Sequence, residues 1–534
     1  MAERATSTDA ERKKPEPFDV LIVGAGISGI GCAYHLQSQC PGMSFVILES
    51  QESFGGTWLT HRYPGVRSDS DLYTFGYRFK PWVGKPIANA VEILAYLGEV
   101  IDENGLDKHI RYQHTISSAR WSSAENLWTI EATRMDTGET VRLMANFLWM
   151  CQGYYRHGQG YTPSWDGMDE FNGPIVHPQA WPEDLDYAGK NVVVIGSGAT
   201  AATLVPAIAA DCAHVTMLQR SPTYFITGRN ANALADMLRE LDINQEWIHE
   251  IVRRKVLFDQ AAFTRRCLSE PEAVKQELLS TVRAYLGADY DVDTHFAPKY
   301  RPWQQRIAFI PDGDLFRGVG SKKVSVVTDE IDRFTKNGIR TKSGEVLQAD
   351  IIITATGFNL NALGDIDFVI DGKPLVFSDT ITYRGTMFTG VPNMAWVFGY
   401  FRASWTLRVD LVGDFVCRLL NHMRGKGSRR VTPTLRPEDR DMPLLPWVDC
   451  ENFNPGYLMR GMHLLPKRGN KPEWLHSQDY EIEKELLPAA DLEDGSLDYA
   501  SEAPRLKSPP SRWSSSFGEG GRGWGAIGMN RVDT

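Results

Sequence analysis

The chain has 534 residues, a formal net charge of -10, 42% hydrophobic and 23% charged residues. That length sets a prior of about three domains and leaves ample apolar surface for a core without staples. An acidic balance supplies no net basic field to collect phosphates, so the composition excludes a general nucleic-acid binder. The first 17 residues (MAERATSTDAERKKPEP) are polar and charged, with no apolar signal core. No stretch reaches the roughly 18 apolar residues of a membrane span, so a cytoplasmic protein without a membrane anchor is expected. Cysteines at 32, 40, 151, 212, 267, 417 and 450 form no C-x-x-C pair and no zinc-ligand spacing. Reduced, mostly buried thiols and no metal follow as expectations.

After the tail, Phe18 to Val23 (FDVLIV) is a short apolar run, the pattern of a buried parallel strand. The loop GAGISG and a helix over Ile30 to Gln39 follow, and then a second strand, Ser44 to Glu49. Residues 110–150 alternate polar and apolar (HTISSARW, NLWTIEAT) around Asp136-Thr137-Gly138, which predicts an antiparallel hairpin layer. A second strand–turn–helix–strand unit starts at Lys190: NVVVIGSGATAATLVPAIA, then HVTMLQR. Residues 230–300 are charged and helix-favouring, and read as an all-helical insertion. From Lys323 to Phe358 the strand pattern resumes, with a turn at Lys336-Asn337-Gly338. The last thirty or so residues, rich in Ser, Gly and Pro, read as a loosely held tail.

The two glycine loops carry the chemistry. Gly24-x-Gly26-x-x-Gly29, with Ser28 inside it, joins a strand to a helix. Glycines there permit a tight turn, close approach of a pyrophosphate, and helix–strand packing, while the helix N-terminus offers N–H groups to the anion. The strand that follows ends in Glu49, an acid that accepts from an adenosine ribose and repels a 2′-phosphate. This loop is expected to hold FAD. In the second loop, Gly196-Ser197-Gly198-Ala199-Thr200-Ala201, the next strand instead ends Gln219-Arg220-Ser221. Arginine and serine there suit a 2′-phosphate, so this loop is expected to hold NADPH, with electrons flowing to the flavin. Arg220 could otherwise be a solvated cation at a sheet edge. The fold expected is α/β, with two Rossmann-like dinucleotide-binding domains and a helical insertion.

Other motifs carry a family resemblance, from about Phe18 to about residue 460. Gly55-Gly56-Thr57-Trp58, followed by Arg62-Tyr63-Pro64-Gly65-Val66-Arg67-Ser68-Asp69, resembles the flavin-contact segment of class B flavoprotein monooxygenases. Phe171-x-Gly173-x-x-x-His177-x-x-x-Trp181-Pro182 is similar at every specified position to the fingerprint of type I Baeyer–Villiger monooxygenases. Ala355-Thr356-Gly357 resembles the ATG motif of two-dinucleotide flavoproteins. The resemblance implies an FAD-binding domain over 18–155 and 353–500, an NADPH-binding domain over 160–226 and 305–350, a helical insertion over 227–304, and tails over 1–17 and 501–534. It implies catalytic Arg306 with Asp69 as its partner, and cofactor contacts from Gly56, Thr57, Trp58 and Asp69 beside those of the loops. His177 and Trp181 would link the nucleotide domains, although His177 reads equally as a hydrogen-bonded linker residue. Where some family members carry a lysine that helps hold the NADPH phosphate, this chain has Gln305, which leaves more of that task to Arg220 and Ser221.

The activity so implied is NADPH- and O2-dependent insertion of oxygen beside a ketone carbonyl through a C4a-peroxyflavin, giving an ester or lactone, with sulfoxidation as a side reaction. Arg306 would stabilise the anionic species, since arginine stays protonated throughout. Two alternatives stand beside it: an N- or S-oxygenating flavin-containing monooxygenase, and an uncoupled flavoprotein NADPH oxidase or reductase. Asp69 could instead be a turn or N-cap aspartate in the SDSD run, and Trp405 a pocket or a core tryptophan. The partners expected are a small ketone and molecular oxygen, with the chain a monomer. RYPGVRSDSD and YRFKPW resemble the family branch associated with linear and aryl ketones or thioamide prodrugs.

Overall fold

Val20, Leu21 and Ile22 have no exposed surface because the strand Glu16–Val23 is flanked on both sides, running parallel to Phe45–Leu48 and to Thr140–Met150. The computed structural model describes residues 16–501, so the expected C-terminal tail lies, from residue 502, outside the described residues. The N-terminal boundary expected at residue 17 moves, since Glu16 and Pro17 already pair with Leu143 and Met144. The first sheet has nine strands. It continues antiparallel through Leu127–Arg134 and His114–Ser122, the hairpin layer expected from alternation, with Gly138 at φ 72° in the turn. Asp367–Ile370 and Met394–Trp396 return from the C-terminal half to join it.

The second sheet has five strands, in the order Val324–Thr328, His214–Gln219, Asn191–Ile195, Ile351–Thr354 and Ile175–Val176, all parallel. One expected boundary is corrected here. The switch back to the first domain, placed between 350 and 353, falls inside Ile351–Thr354, whose Ile351 pairs with Val192 and Thr354 with Ile195. An apolar run such as IIIT suits either sheet, and only pairing decides between them.

The insertion is helical, as expected: Ala233–Glu240, Gln245–Ser269, Pro271–Leu286 and Val292–Phe296. Phe225–Gly228 and Ala308–Pro311 pair at its base, so the chain leaves and re-enters at one edge. Arg253 on its longest helix fastens it to the first domain, donating to the carbonyls of Tyr73 and Gly76 at 2.9 Å each. All seven cysteines are free, six buried and Cys450 half-buried. No helix among the described residues is long and apolar enough to cross a membrane.

The helix Trp405–Lys426 packs on Ile27–Gln39 and carries a buried charge. Arg408 has no exposed surface; its Nε donates to Glu483 Oε2 at 2.7 Å, and its other nitrogens donate to the carbonyls of Arg384, Gly385 and Phe398. Removing one partner of such a pair strands the other charge, which costs about 3–5 kcal/mol. Glu483→Gln should lose stability of that order in urea unfolding; a loss below about 1 kcal/mol, the range of exposed pairs, would show that the charge is compensated elsewhere.

Candidate active site

Both glycine loops have the geometry that their residues require. Gly24 has φ 97°, and a Cβ on Gly29 would lie 1.8 Å from the Gly24 carbonyl oxygen, so neither position accepts another residue without moving the backbone. Gly196 has φ 130°, and a Cβ there would lie 2.3 Å from Ala355 O, the first residue of the ATG motif. A Cβ on Gly198 would meet no protein atom within 4 Å. Both helices, Ile27–Gln39 and Ala199–Ile208, start without a side-chain cap, which leaves their first N–H groups to a ligand.

Glu49 is 5% exposed and sits at the first loop: Oε2 accepts from Ala25 N–H at 2.7 Å and Oε1 from Gln51 N–H at 2.8 Å. The carboxylate thus braces the loop. Ser28 Oγ accepts from the Trp405 indole N–H at 2.8 Å. Gly56, at φ 53°, faces Gly26, and the short helix Thr57–Thr60 follows with Thr57 and Trp58 half-buried. In the second loop, Ser197 Oγ is 2.9 Å from Thr223 Oγ1 and 3.2 Å from the Ser221 carbonyl, tying the loop to the end of the next strand. Arg220 is exposed and, among the described residues, has no carboxylate within ion-pair distance.

The segment Arg62–Asp69 bridges the loops. A Cβ on Gly65 would lie 2.6 Å from Ala207 Cβ, so the segment rests on the helix that follows the second loop. Tyr63 reaches Thr200 on that helix, and burial pushes its hydroxyl up to about 12. Arg67 pairs with Asp314 at 2.6 Å. The SDSD run divides its work: Asp71 caps Leu72–Phe75 by accepting from Tyr73 N–H, and burial pushes its carboxyl up to about 6. Asp69 Oδ2 instead accepts from Arg306 Nη2 at 2.6 Å. Arg306 stands in the loop between the insertion and Ala308–Pro311. Asp69 holds its guanidinium above the ordinary range, against the opposing effect of burial.

Three tyrosines that motif reading passes over, Tyr154, Tyr155 and Tyr457, lie within the field of Arg306. Burial raises all three hydroxyls, so they stay protonated. Tyr154 stacks on Trp405 at 5.3 Å and Tyr155 on Phe358 at 4.4 Å. The Tyr-Tyr doublet just after the strand Thr140–Met150 was the available signal. Trp405 packs half-buried against the core, the second of its expected roles, and its indole N–H reaches the first loop at Ser28.

His177 Nδ1 accepts from Gln179 N–H at 3.1 Å, which puts its proton on Nε2, and that N–H donates to Gly357 O at 3.1 Å. Nδ1 is thus used within the fingerprint, and Nε2 joins it to the ATG motif. A Cβ on Gly160 would lie 2.0 Å from the His177 ring, which explains a glycine that the motifs do not mention. Trp181 lies half-buried on the second domain's core, edge-on to Tyr187 at 6.2 Å.

The comparisons agree with this architecture. Residues 22–82 match the family described as NAD(P)-binding Rossmann-like domain, and residues 85–250 the family described as flavin-binding monooxygenase-like. The FAD-containing monooxygenase EthA of Mycobacterium tuberculosis (strain H37Rv) is 47% identical over 487 residues, 91% of this chain and 98% of that protein. The probable FAD-binding monooxygenase AlmA of Acinetobacter baylyi is 42% identical, over 90% of this chain and 96% of its own. Among solved structures, oxidized steroid monooxygenase bound to NADP has a TM-score of 0.71 at 24% identity, covering 91% of this chain and all of its own. OTEMO in complex with FAD and NADP has a TM-score of 0.71 at 21% identity, with the same coverage. The chain belongs to the class B flavoprotein monooxygenases, the flavin-binding monooxygenase-like family. A flavin and a nicotinamide dinucleotide are its cofactors, in the α/β two-dinucleotide fold expected.

A proton-binding consequence follows from the linker. Burial pulls His177 below its ordinary value and takes His61 to about 4. Both bind protons more readily when unfolded, so their contribution is complete above the unfolded value near 6.5 and is lost as pH falls below it. The melting temperature should drop between pH 7 and pH 5. His177→Asn, whose amide oxygen still accepts from Gln179 N–H, should drop less; a slope as steep as the parent's would place the titration outside this linker.

Proposed function

We propose that this monooxygenase inserts one oxygen atom beside the carbonyl of a ketone, giving an ester or lactone. FAD lies on the Gly24–Gly29 loop and NADPH on the Gly196–Ala201 loop. The observation that carries this reading is the Arg306–Asp69 pair, on a segment that touches both loops. FAD, when bound and reduced, supplies the chemistry of oxygen activation and transfer.

The chain's own residues supply the rest. Arg306 offers a fixed positive fork to the oxyanion that develops at the carbonyl. Asp69 orients it and offsets the cost of holding the charge in a half-buried site. The protonated tyrosines bring O–H donors and aromatic walls without adding negative charge. Arg220 and the Ser221 hydroxyl receive the adenosine 2′-phosphate, and His177 holds the two nucleotide domains in register through Gly357.

Two variants test the assignment. Arg306→Ala should lose about 10²–10³-fold in ketone turnover, while bleaching of the flavin by NADPH continues. Ester formation at the parental rate would remove Arg306 from the chemistry, and sulfoxide or N-oxide as the product from a ketone-inert enzyme would assign the alternative reaction. Arg220→Ala should raise KM for NADPH far more than for NADH; equal effects would separate Arg220 from the 2′-phosphate.

A further inference from the structure

A cavity of about 250 Å³ lies among the loop after the strand Met394–Trp396, residues 447–453 and residues 475–478. Its walls include Phe401, Phe453 and Trp447, and the guanidinium of Arg402. Arg402 lies 5.4 Å over the Phe453 ring, and Phe401 stacks on that ring at 4.8 Å. The electrostatics of this cavity are unbalanced. Arg402 Nη2 donates to Asn452 O at 2.6 Å and Oδ1 at 3.0 Å, and Arg301 Nη2 donates to the same two oxygens. Two cations therefore share one neutral amide, and neither has a carboxylate within ion-pair distance among the described residues. Asp449, the acid in the wall, is exposed and accepts from Glu451 N–H at 3.1 Å; it attracts both guanidiniums through space but pairs with neither. Burial first, then Arg301, push Arg402 down to about 10.

Other sheltered arginines of this chain are matched: Arg408 by Glu483 at 2.7 Å, Arg67 by Asp314 at 2.6 Å and Arg436 by Asp439 at 2.7 Å. Both guanidiniums are half-buried, and a partly desolvated pair of cations without a carboxylate is stabilised when an anion joins it. Arg402 Nη1 makes no hydrogen bond to the described residues, and the Trp447 indole N–H is buried without an acceptor. A guanidinium with an unused nitrogen and aromatic walls thus border a space sized for a small molecule. We propose that this cavity binds a small organic anion, a carboxylate carried on an aromatic or short apolar body, with Arg402 as its principal contact.

The site is coupled to the reaction centre through backbone. Arg402 Nε also donates to the carbonyl of Trp303, which is held at φ 60° three residues before Arg306. An anion on Arg402 therefore bears on the loop that carries the catalytic arginine. Its source is either a carboxylate of the oxygenated substrate itself or a separate effector.

Benzoate and its neutral counterpart benzamide, titrated by calorimetry into the FAD-loaded enzyme, test the site without any turnover, independently of the ketone reading. Benzoate should bind at least tenfold more tightly than benzamide, and Arg402→Gln should lose that margin. Arg402→Lys, which keeps the charge and drops the planar fork, should fall between them. Equal binding of the two probes, or undiminished benzoate binding in Arg402→Gln, would overturn the proposal. Kinetics with 4-acetylbenzoate and its methyl ester assign the source. Competition of benzoate against the keto acid alone marks a substrate carboxylate site, and an altered kcat on the neutral ester marks an effector site; both support the anion site.

Discussion

Arg306 and Asp69 are 237 residues apart in the chain and 2.6 Å apart in the molecule. Most of the fold serves to make that distance possible. Asp69 ends a segment that leaves the first glycine loop at Gly56 and crosses the helix after the second loop at Gly65. Arg306 arrives from the other direction, at the end of a helical insertion whose first and last strands pair with each other. Because that pairing closes the insertion at its base, the position of Arg306 is set by the second domain and not by the length of the helices. A charged fork in a half-buried place is useful to catalysis only if it does not have to be reorganised, and here Arg306 lies two residues before a paired strand while the segment that ends at Asp69 rests on a helix.

The same constraint explains the distribution of polar contacts around the loops. Glu49, Ser28 and Ser197 each bond to protein neighbours as well as lying where a cofactor is expected. Such side chains fix the loop before any ligand arrives, which lowers the ordering cost of binding. His177 is fixed in the same way. With a donor on one nitrogen and an acceptor on the other, it joins the fingerprint to Gly357, and Gly160 exists to leave room for its ring.

What could be read from the sequence follows from the range of each interaction. Gly24, Gly29 and Gly196 are legible because their constraint is local: the backbone within a few residues demands the absence of a Cβ. The helical insertion is legible from composition and periodicity over some seventy residues. Ile351–Thr354 is not legible as a member of the second sheet, because three buried isoleucines and a threonine look the same in either. Asp69 and Asp71 are two residues apart and chemically identical; only the tertiary partners, Arg306 for one and the Tyr73 N–H for the other, tell them apart. Family resemblance supplied that pair, and local physics alone would not have done so.

The cavity beside Arg402 marks the far end of that scale. Its walls come from four separate segments, Arg468 among them, and the Arg301 guanidinium on Asn452 comes from a fifth. No motif announces it, since its distinguishing property is a missing partner, and a missing carboxylate has no sequence signature. It becomes visible only against the matched arginines of the same chain. Arg408, enclosed by Glu483 and three carbonyls, has no donor left for a ligand to use, whereas Arg402 keeps one nitrogen free and a wall of aromatic rings beside it. A buried charge that the fold completes is structural; one that the fold leaves incomplete, next to a space and one hydrogen bond from the loop that carries Arg306, is where a ligand contributes most.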